Sequence, residues 1–415
     1  MNNDLKQKLQ EREFSVLKDR HNVVLKWATG CGKSKMTIDL INNALPSFSP
    51  SKPVRVLFLV AERAHINNWQ DEMFKWHLRL DRVATDVVCY ASLRKIEHNS
   101  YDIIVMDEAH HAFTEKRLAS IENLRKELSE NGYVFLLSAT LPSCNIEVMD
   151  EIFGKFTTST ITLKDAIEKE VLPDPRIYVI GMDLDDKAVT ETIRSGAGSV
   201  NPPIVKFEDR KKYIFRNAPC VIRCTQKQKY QFYTESMEYW KSRYQLSHNS
   251  FHNTKWVNLG SQRKMFLGNL KTESVKTLIR HISARKRFVC FCASVAQATE
   301  LSKSNTVSSK KTSKYNQTII DEFNNGTIDR IFAVGMITEG MNLANIQAGI
   351  IAQLDGKERL FVQKCGRVLR ADDPIAFIFY YRDTQDEVYL RKALENIDEK
   401  YVKFTSINQL NRIKL

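Results

Sequence analysis

The sequence predicts an α/β protein with two domains, each built around a parallel β-sheet. Its 415 residues exceed the roughly 250 to 300 residues that a single hydrophobic core usually serves. Short β-rich runs alternate with stretches of helical length early in the chain, and the same alternation returns late. Strands that alternate with helices are typical of a parallel sheet covered by helices on both faces.

The strands of the first domain are predicted from the runs VVLKWA, VRVLFLVA, DVVCYA, DIIVMDEA and YVFLLSAT. Those of the second domain are predicted from RFVCFCAS, RIFAVGM, AGIIAQL and AFIFYYR. Between the two sets, VLPDPRIYVIGMDL places two prolines ahead of a short strand, which indicates an exit from the first domain near Leu172. We therefore expect a first domain at residues 1–172 and a second at 173–415.

The positive charge of the chain is concentrated in one segment. Between Asn201 and Cys290 there are 19 Lys and Arg against 5 Asp and Glu, whereas the rest of the chain has 43 against 44. This segment therefore holds the whole excess of the net charge of +13. Such a concentration predicts a polyanionic partner. We expect a basic, largely helical insertion in the second domain, at about residues 183–285.

An aromatic stripe runs through the basic segment. Five residues recur at intervals of 3, 4, 3 and 4, which places them on one face of a helix: Tyr230, Tyr233, Met237, Trp240 and Tyr244. Four basic residues flank this face: Lys227, Lys229, Lys241 and Arg243. Two interpretations follow, a packing seam with basic side chains at its margins or a nucleic-acid face. The spacing favours the packing seam, because such a period usually marks a buried face.

Cysteine usage and hydropathy restrict the class of protein. The eight cysteines are scattered without a CxxC pair, so neither a disulfide framework nor a zinc ribbon is indicated. A site made by Cys220, Cys224, Cys290 and Cys292 is the alternative, but VCFCAS is typical of a buried strand. No apolar run reaches the roughly 18 to 20 residues that span a bilayer, and the start MNNDLKQKLQEREF has no signal-peptide core. We expect a cytoplasmic protein without a membrane partner.

A glycine-rich loop follows the first predicted strand. ATGCGKS, residues Ala28 to Ser34, stands between HNVVLKW and the helical pattern KMTIDLINNAL. In this context glycines let backbone N–H groups surround phosphate oxygens, and the helix N-terminus adds its dipole. Lys33 would reach the β- and γ-phosphates, and Ser34 would bind Mg²⁺. Trp27 replaces the first glycine of the usual pattern.

Two further predicted strands end in polar residues. DIIVMDEAHH places Asp107 and Glu108 at a strand end, where Asp107 can hold Mg²⁺ and Glu108 can position and deprotonate water. LLSATLP places Ser138 and Thr140 at the end of another strand, where hydroxyls can link the nucleotide side to a neighbouring domain. Together with the glycine-rich loop, these residues predict a site that hydrolyses a nucleoside triphosphate.

The order and spacing of these motifs resemble superfamily 2 helicases. TGCGKS, DEAH and SAT are similar to motifs I, II and III. FLVAERAHINNWQDEM resembles motif Ia, CYASL motif Ib, RFVCFCAS motif IV, ITEGMNL motif V and QKCGRVLR motif VI. The resemblance covers residues 23–375. Within the superfamily, the sequence is similar to DEAH-box and type III restriction helicases, and its size resembles compact DNA helicases of the phage or repair type. The resemblance implies two RecA-like domains, with ATP and Mg²⁺ in the cleft between them and a nucleic-acid strand across both.

The resemblance also implies roles for individual residues. Those that bind the nucleotide are Thr29, Gly30, Cys31, Gly32, Lys33, Ser34, Asp107, His110 and Gly340. Those that carry out hydrolysis are Lys33 and Glu108, joined from the second domain by Gln363, Arg367 and Arg370 at the γ-phosphate. Ser138 and Thr140 couple the site to the second domain, and Arg63, Ser92 and Thr338 contact the strand. If no nucleotide site were predicted, Arg367 and Arg370, three residues apart, would indicate only a solvated helix face.

Three departures from the family pattern affect these expectations. Asn342 replaces the acid that motif V usually carries, which leaves a sugar contact through that side chain open. No clear adenine-reading glutamine motif precedes the glycine-rich loop, and Gln7 and Gln10 are the candidates. The sequence stops about forty residues after motif VI and so lacks the accessory domains of DEAH RNA helicases, which favours DNA by analogy.

We therefore expect an ATP-dependent helicase or translocase that acts on single-stranded, forked or branched DNA in replication, recombination or repair. The basic segment would bind the duplex or fork ahead of the motor, through Arg210, Lys211 and Lys212. One alternative is an RNA helicase. The other is the motor subunit of a restriction or defence complex, since no PD…ExK nuclease motif is present. We expect a monomer, with a protein partner left open.

Overall fold

A computed structural model describes residues 3–95, 100–195, 201–214, 218–282, 286–335, 343–354, 373–395 and 397–412. It contains two large parallel sheets with helices around them, which confirms the predicted α/β architecture. The described strands of the first sheet are, in spatial order, β3 (Val83–Cys89), β2 (Val54–Val60), β4 (Tyr101–Met106), β5 (Leu128–Ser138), β1 (Asn22–Trp27) and β6 (Thr157–Ile161). Those of the second sheet are, in spatial order, β12 (Thr306–Ser308), β13 (Arg330–Val334), β11 (Phe288–Phe291), β14 (Ala348–Ile351), β15 (Ile375–Tyr381), β7 (Arg176–Met182) and β16 (Val402–Thr405). All the strand pairs in both large sheets are parallel.

In the described part of the first domain, α-helices separate the successive strands, except between β3 (Val83–Cys89) and β4 (Tyr101–Met106), where a 3₁₀ segment follows β3. Its strands are β1 (Asn22–Trp27), β2 (Val54–Val60), β3 (Val83–Cys89), β4 (Tyr101–Met106), β5 (Leu128–Ser138) and β6 (Thr157–Ile161). Its helices are α1 (Asn3–Leu17), α2 (Lys33–Ala44), α3 (Ala64–Lys75), α4 (Glu115–Glu127), α5 (Ser143–Phe153) and α6 (Leu163–Glu168). Val24 and Leu57 on one face of the central strands and Leu25 and Phe58 on the other are fully buried, as expected for a sheet covered on both faces.

The second domain uses strands from both sides of a long insertion. Before the insertion comes β7 (Arg176–Met182), which pairs in the sheet with β15 and β16. After it come β11 (Phe288–Phe291), β12 (Thr306–Ser308), β13 (Arg330–Val334), β14 (Ala348–Ile351), β15 (Ile375–Tyr381) and β16 (Val402–Thr405). The helices of this part are α10 (Thr272–His281), α11 (Val295–Leu301), α12 (Ser313–Asn324) and α13 (Gln385–Leu394).

The insertion combines a small sheet with a long helical hairpin. The strands β8 (Glu191–Ser195), β9 (Ile204–Val205) and β10 (Cys220–Cys224) form a three-stranded sheet, next to the short helix α7 (Arg210–Ile214). Two long helices follow, α8 (Gln226–Ser247) and α9 (Ser250–Leu270). We call this helix pair, residues 226–270, the arm. At 22 residues, α8 is about 33 Å long.

Capping side chains define the two helices of the arm. Thr225 and Gln228 form a reciprocal capping box at the start of α8, and the Asn249 side chain caps α9. Only a two-residue connection separates the helices, and His248 in it adopts a positive φ of 50°. The chain therefore reverses direction sharply, and α9 returns along α8.

The aromatic stripe of α8 faces α9, which confirms the packing seam. Ring centroids lie 5.9 Å apart for Tyr233 and Phe266, 5.8 Å for Trp240 and Phe251, and 6.3 Å for Tyr244 and Trp256. These separations are within the range in which aromatic side chains pack against each other.

Two properties of the described residues complete the fold. None of the described helices is both long and apolar enough to span a membrane. In the same part of the chain, no group of three or more His, Cys, Asp or Glu side chains is arranged to hold a metal ion. Cys220 and Cys224 lie in the small sheet, whereas Cys290 and Cys292 lie in or next to β11 of the second domain.

Candidate nucleotide-binding cleft

The glycine-rich loop joins β1 to α2 and requires glycine at two positions. Gly30 and Gly32 have φ values of 98° and 93°, in the left-handed region that residues with a Cβ rarely adopt. Gly32 is also the N-cap of α2 and supplies no capping side chain, so the first N–H groups of the helix are available to an anion. A Cβ at Gly32 would overlap the Gln10 side-chain amide. The loop therefore fits a phosphate cradle.

Side chains of the loop and of α1 fix its shape. The Lys33 ammonium donates to the Trp27 carbonyl oxygen at 2.9 Å, and the Gln10 amide donates to the Cys31 carbonyl oxygen at 2.9 Å. Burial raises the pKa of the Cys31 thiol to about 11. Cys31 therefore stays a neutral thiol beneath the loop and is a packing residue, not a nucleophile.

The carboxylate of Asp107 is held at the end of β4 by several elements. Its Oδ2 accepts a hydrogen bond from the Trp69 indole N–H of α3 at 2.9 Å, and its Oδ1 accepts from the Glu108 backbone N–H at 2.9 Å. The Tyr90 hydroxyl donates to the Asp107 carbonyl oxygen at 3.0 Å. Burial beside Asp107 raises the pKa of Tyr90, so this donor stays protonated. The orientation of Asp107 is therefore fixed within the protein.

A polar chain runs from Glu108 toward the end of β5. His110 Nδ1 lies 3.3 Å from Glu108 Oε2 and 3.3 Å from Ser138 Oγ. Ser138 Oγ in turn accepts a hydrogen bond from the Thr140 backbone N–H at 3.2 Å. The Thr140 hydroxyl is buried and has no hydrogen-bond partner among the described residues. The chain thus links the two predicted motifs, and its last hydroxyl has capacity for a further partner.

A cleft of about 550 Å³ opens between the loop and the carboxylates. Thr29, Gly30, Gly32, Lys33 and Ser34 line it from the loop, and Asp107 and Glu108 line it from β4. Helices α1 and α3 complete its walls, with Gln7 and Gln10 on the α1 side. This volume is in the range of ligand sites, and positive and negative groups face each other across it. The arrangement suits a nucleoside triphosphate with a divalent cation.

Comparisons with known proteins now identify the family. A profile of the type III restriction enzyme res subunit matches residues 2–143, and a profile of the helicase conserved C-terminal domain matches residues 270–372. The chain belongs to helicase superfamily 2. A search of curated protein sequences found no match.

Solved helicase structures share the fold at low sequence identity. Saccharomyces cerevisiae Dbp5 bound to RNA and ADP BeF3 superposes with a TM-score of 0.61 and 11% identity, covering 98% of this chain and 91% of Dbp5. The Pyrococcus furiosus Hef helicase domain superposes with a TM-score of 0.51 and 15% identity, covering 94% of this chain and 98% of that domain's chain. These likenesses establish the RecA-like fold of both parallel-sheet domains of this helicase.

Two predicted strand-contact residues lie on the same sheet edge as Asp107. Arg63 directly precedes α3, and Ser92 lies in the 3₁₀ segment Tyr90–Lys95 after β3. Since β2, β3 and β4 are parallel neighbours, the segments that follow them emerge at one edge. Five other predicted site residues of the helicase lie outside the described residues: Thr338, Gly340, Gln363, Arg367 and Arg370.

The predicted nucleic-acid contact at Arg210 is wrong. Its guanidinium is buried, donates to both Glu235 carboxylate oxygens at 2.6 and 3.0 Å, and donates to the Phe207 carbonyl oxygen at 3.0 Å. Lys212 remains exposed but pairs with Asp209 at 3.0 Å, while Lys211 is exposed. Arg210 therefore joins α7 to α8 as a structural residue.

Sequence reasoning missed three aromatic residues around the cleft. Trp69 and Tyr90 hold Asp107, and Trp76 lines the cleft with the Lys35 and Lys75 ammonium groups 5.8 and 4.8 Å from its ring centroid. The signal was present in part, because Trp69 falls within the segment that resembles motif Ia and Tyr90 within the one that resembles motif Ib. Apolar spacing alone assigns such residues to the core.

Proposed function

We propose that this helicase hydrolyses ATP to move along, or to separate, the strands of forked or branched DNA in replication, recombination or repair. The observation that carries the proposal is the cleft, where a phosphate cradle faces Asp107 and Glu108. Helicase superfamily 2, to which the chain belongs, couples ATP use to the unwinding of nucleic acid. The match of the first domain to a restriction-enzyme subunit favours DNA.

Each group in the cleft has a proposed task in hydrolysis. The N–H groups at the start of α2 and the Lys33 ammonium bind the phosphates. Ser34 and Asp107 are the residues that would hold Mg²⁺, which neutralises phosphate charge when bound. Glu108 orients the attacking water and accepts its proton. His110 Nδ1, 3.3 Å from both Glu108 Oε2 and Ser138 Oγ, links Glu108 to the Ser138–Thr140 segment at the end of β5.

The second domain is proposed to complete the site. Gln363, Arg367 and Arg370 would meet the γ-phosphate, Gly340 would contact the nucleotide, and Thr338 would contact the strand. An arginine that reaches the γ-phosphate in phosphoryl transfer is typically worth about 10³- to 10⁵-fold in turnover. Separate Arg367→Ala and Arg370→Ala variants, compared in turnover and in ATP affinity, identify which arginine has this role.

The test of the proposal is ATP hydrolysis in the presence of defined nucleic acids. Turnover is measured with single-stranded, duplex, forked and four-way-junction DNA, and with RNA of the same sequences and shapes. We expect the largest stimulation from forked or branched DNA. Equal or greater stimulation by RNA would contradict the DNA assignment, and no stimulation by any nucleic acid would contradict the motor function itself.

An RNA helicase is the second candidate. It is favoured by the structural likeness to Dbp5, which was solved bound to RNA, and to Mss116p, which was solved bound to ssRNA. Both likenesses are at low identity, 11% and 14%, and therefore concern the fold. A third candidate, the motor subunit of a restriction or defence complex, is favoured by the family match of residues 2–143. The same panel of nucleic acids separates the first two candidates.

A further inference from the structure

Several basic residues pair with acids where the insertion joins the rest of the second domain. We call this region, which includes residues 186–235 and 266–271, the root of the insertion. Ion pairs join Arg210 to Glu235 at 2.6 Å, Lys227 to Asp186 at 3.3 Å, Lys229 to Glu191 at 2.8 Å and Lys271 to Asp386 at 2.6 Å. Their side chains stabilise the small sheet and the attachment of the arm to the second domain. The net charge of the insertion therefore overstates how many cations this root offers to an external polyanion.

Three cations of the distal arm, which we define as residues 237–265, have no acidic partner among the described residues. Lys241, Arg243 and Lys255 make no ion pair with a carboxylate in the part of the chain that the structure describes. Glu238 is the only acid in residues 237–265. A cluster of cations that the protein leaves without counter-charges is the electrostatic signature of a polyanion site.

Each of these three cations lies beside an aromatic ring. Lys241 Nζ is 5.9 Å from the Trp256 centroid, and Lys255 Nζ is 5.5 Å from the Phe251 centroid. The Arg243 guanidinium is 5.6 Å from the Tyr239 centroid, and its Nε donates to the Tyr239 hydroxyl at 3.2 Å. Pairs of a cation and a ring are the elements from which single-strand binding surfaces are made, since phosphates bind the charge and bases stack on the ring.

The distal arm packs mainly on itself. Residues 237–265 include no buried side chain, since α8 packs there on α9, and Arg263 adds a hydrogen bond to the Gln385 side-chain oxygen of α13 at 3.1 Å. Leu246 is 85% exposed and Phe251 is 54% exposed. An apolar and cationic surface of this kind at the end of a long hairpin is available to a partner.

We propose that the distal arm, residues 237–265, binds the unpaired strand at a DNA fork or junction. The inference rests on the proposed function, and it assigns the polyanion contact of the insertion to this surface. Duplex DNA offers phosphates but keeps its bases stacked, whereas an unpaired strand offers both, and the arm presents both cations and rings. The arm thereby adds a contact with nucleic acid to those proposed across the two parallel-sheet domains.

The first test compares two triple variants with the same loss of charge. Lys241→Gln, Arg243→Gln and Lys255→Gln together remove three distal-arm cations that make no ion pair with a described carboxylate. Lys227→Gln, Lys276→Gln and Lys400→Gln together remove three cations that pair with acids elsewhere in the second domain. Binding of a labelled fork with an unpaired arm is measured as a function of NaCl concentration, and helical circular dichroism confirms that both variants fold.

Each phosphate contact with a single strand contributes about 0.7 to the slope of log affinity against log salt concentration. Because three contacts are lost, we expect this slope to be smaller by about 2 in the distal-arm variant. The paired-cation variant should keep the slope of the unmodified protein. An unchanged slope in the distal-arm variant, or the same change in both variants, would overturn the proposal. Self-association of the distal-arm variant is measured by sedimentation. If self-association changed while fork binding did not, the proposal would be overturned in favour of a second copy of the chain as the partner of this surface.

The second test separates stacking from charge. Phe251→Ala removes an exposed ring beside Lys255, and Leu246→Ala removes a more exposed apolar side chain that is not a ring. We expect Phe251→Ala to weaken binding to forks with an unpaired arm several-fold more than binding to blunt duplex. Leu246→Ala should leave both unchanged, and equal losses from the two variants would contradict stacking.

The proposed function and the arm inference fail in distinguishable ways. If no nucleic acid stimulates ATP hydrolysis by the unmodified protein, the motor function fails. If single-stranded DNA stimulates hydrolysis equally in the unmodified protein and the distal-arm variant while fork affinity is also equal, only the arm inference fails. If stimulation persists and fork affinity falls, both stand.

Discussion

The nucleotide cleft and the distal arm place their charged groups in opposite ways. In the cleft, Asp107 is held by α3, by the segment after β3 and by the backbone of Glu108. On the distal arm, Lys241 and Lys255 lie over rings of the facing or the same helix and pair with no carboxylate. The residues proposed for catalysis are therefore held in place by several elements, whereas the residues proposed for strand contact are held by fewer contacts.

The largest expected effect comes from the cleft. Glu108→Gln keeps the size of the side chain but removes the group that accepts a proton from water, so turnover should fall by about 10²- to 10⁴-fold. Binding of ATP and of DNA should persist, because the phosphate cradle is unchanged. Steady-state hydrolysis and binding of a fluorescent ATP analogue measure the two effects.

Glu115→Gln is the matched control, because Glu115 is an exposed acid in the first turn of α4. It should retain full turnover. If Glu108→Gln also retained it, the role of Glu108 would be refuted, and the contrast between fixed and adaptable groups would lose its main support.

The next largest effect concerns the root, where charged side chains are held by partners from other elements, as Asp107 is in the cleft. Lys271 and Asp386 pair at 2.6 Å with 0% and 1% of their side chains exposed, and they join the start of α10 to α13. Lys271→Met leaves a buried carboxylate without its cation and should lower the unfolding free energy by about 3–5 kcal/mol. Urea unfolding measures the loss.

An exposed cation of the distal arm gives the comparison. Lys241→Met should change the unfolding free energy by less than about 0.5 kcal/mol, as expected for a surface side chain without a buried partner. Restoring an apolar pair with Lys271→Met and Asp386→Leu should recover much of the lost stability. Equal effects of Lys271→Met and Lys241→Met would show that the root is no more fixed than the tip.

Sequence patterns predicted the groups that follow strands directly. Gly30, Gly32, Asp107, Glu108 and Ser138 stand at or just after the ends of apolar runs, and parallel strands bring such ends to one edge. The strand patterns and their helical connections also gave the two-sheet architecture, because period and length are local signals. These features need no knowledge of distant partners.

Features that depend on distant partners were not predicted. Trp69 lies 38 residues from Asp107 in the chain, and Arg210 lies 25 residues from Glu235. A tryptophan in an apolar pattern is assigned to the core, and an arginine in a basic segment is assigned to the surface, unless the fold reveals its partner. Composition therefore indicated a basic segment, but it did not separate the cations that pair with acids, such as Arg210, from those of the distal arm that make no ion pair among the described residues.

Trp69 provides the third prediction, on how the cleft is fixed. Trp69→Phe keeps an aromatic ring near Phe58, 4.7 Å away in the native packing, but removes the N–H that orients Asp107. If Asp107 holds Mg²⁺ as proposed, the affinity for Mg²⁺ should fall by about 10- to 100-fold, the usual effect of losing a hydrogen bond to a metal ligand. Binding of a fluorescent ATP analogue at increasing Mg²⁺ concentration measures it.

Tyr133→Phe is the control for Trp69→Phe. It removes a hydroxyl that donates to Ser47 at 3.4 Å, in the same sheet but away from Asp107. Its Mg²⁺ dependence should match that of the unmodified protein. A normal Mg²⁺ dependence in Trp69→Phe, with nucleotide binding intact, would reduce Trp69 to a packing residue.

The smallest effects come from two glycines of α9, Gly260 in the distal arm and Gly268 near the root. At Gly260 a Cβ would meet the flexible end of Met237 at 3.2 Å, so Gly260→Ala should gain up to about 1 kcal/mol of helix stability. At Gly268 a Cβ would overlap the side chain of Ala293 and crowd Gln353, so Gly268→Ala should cost about 1–3 kcal/mol. Thermal unfolding followed by circular dichroism measures both. The two changes add the same methyl group to the same helix. A gain in the unfolding free energy at Gly260 with a loss at Gly268 would show that α9 is tightly packed against the second domain only near Gly268. A loss at both positions would contradict that distinction.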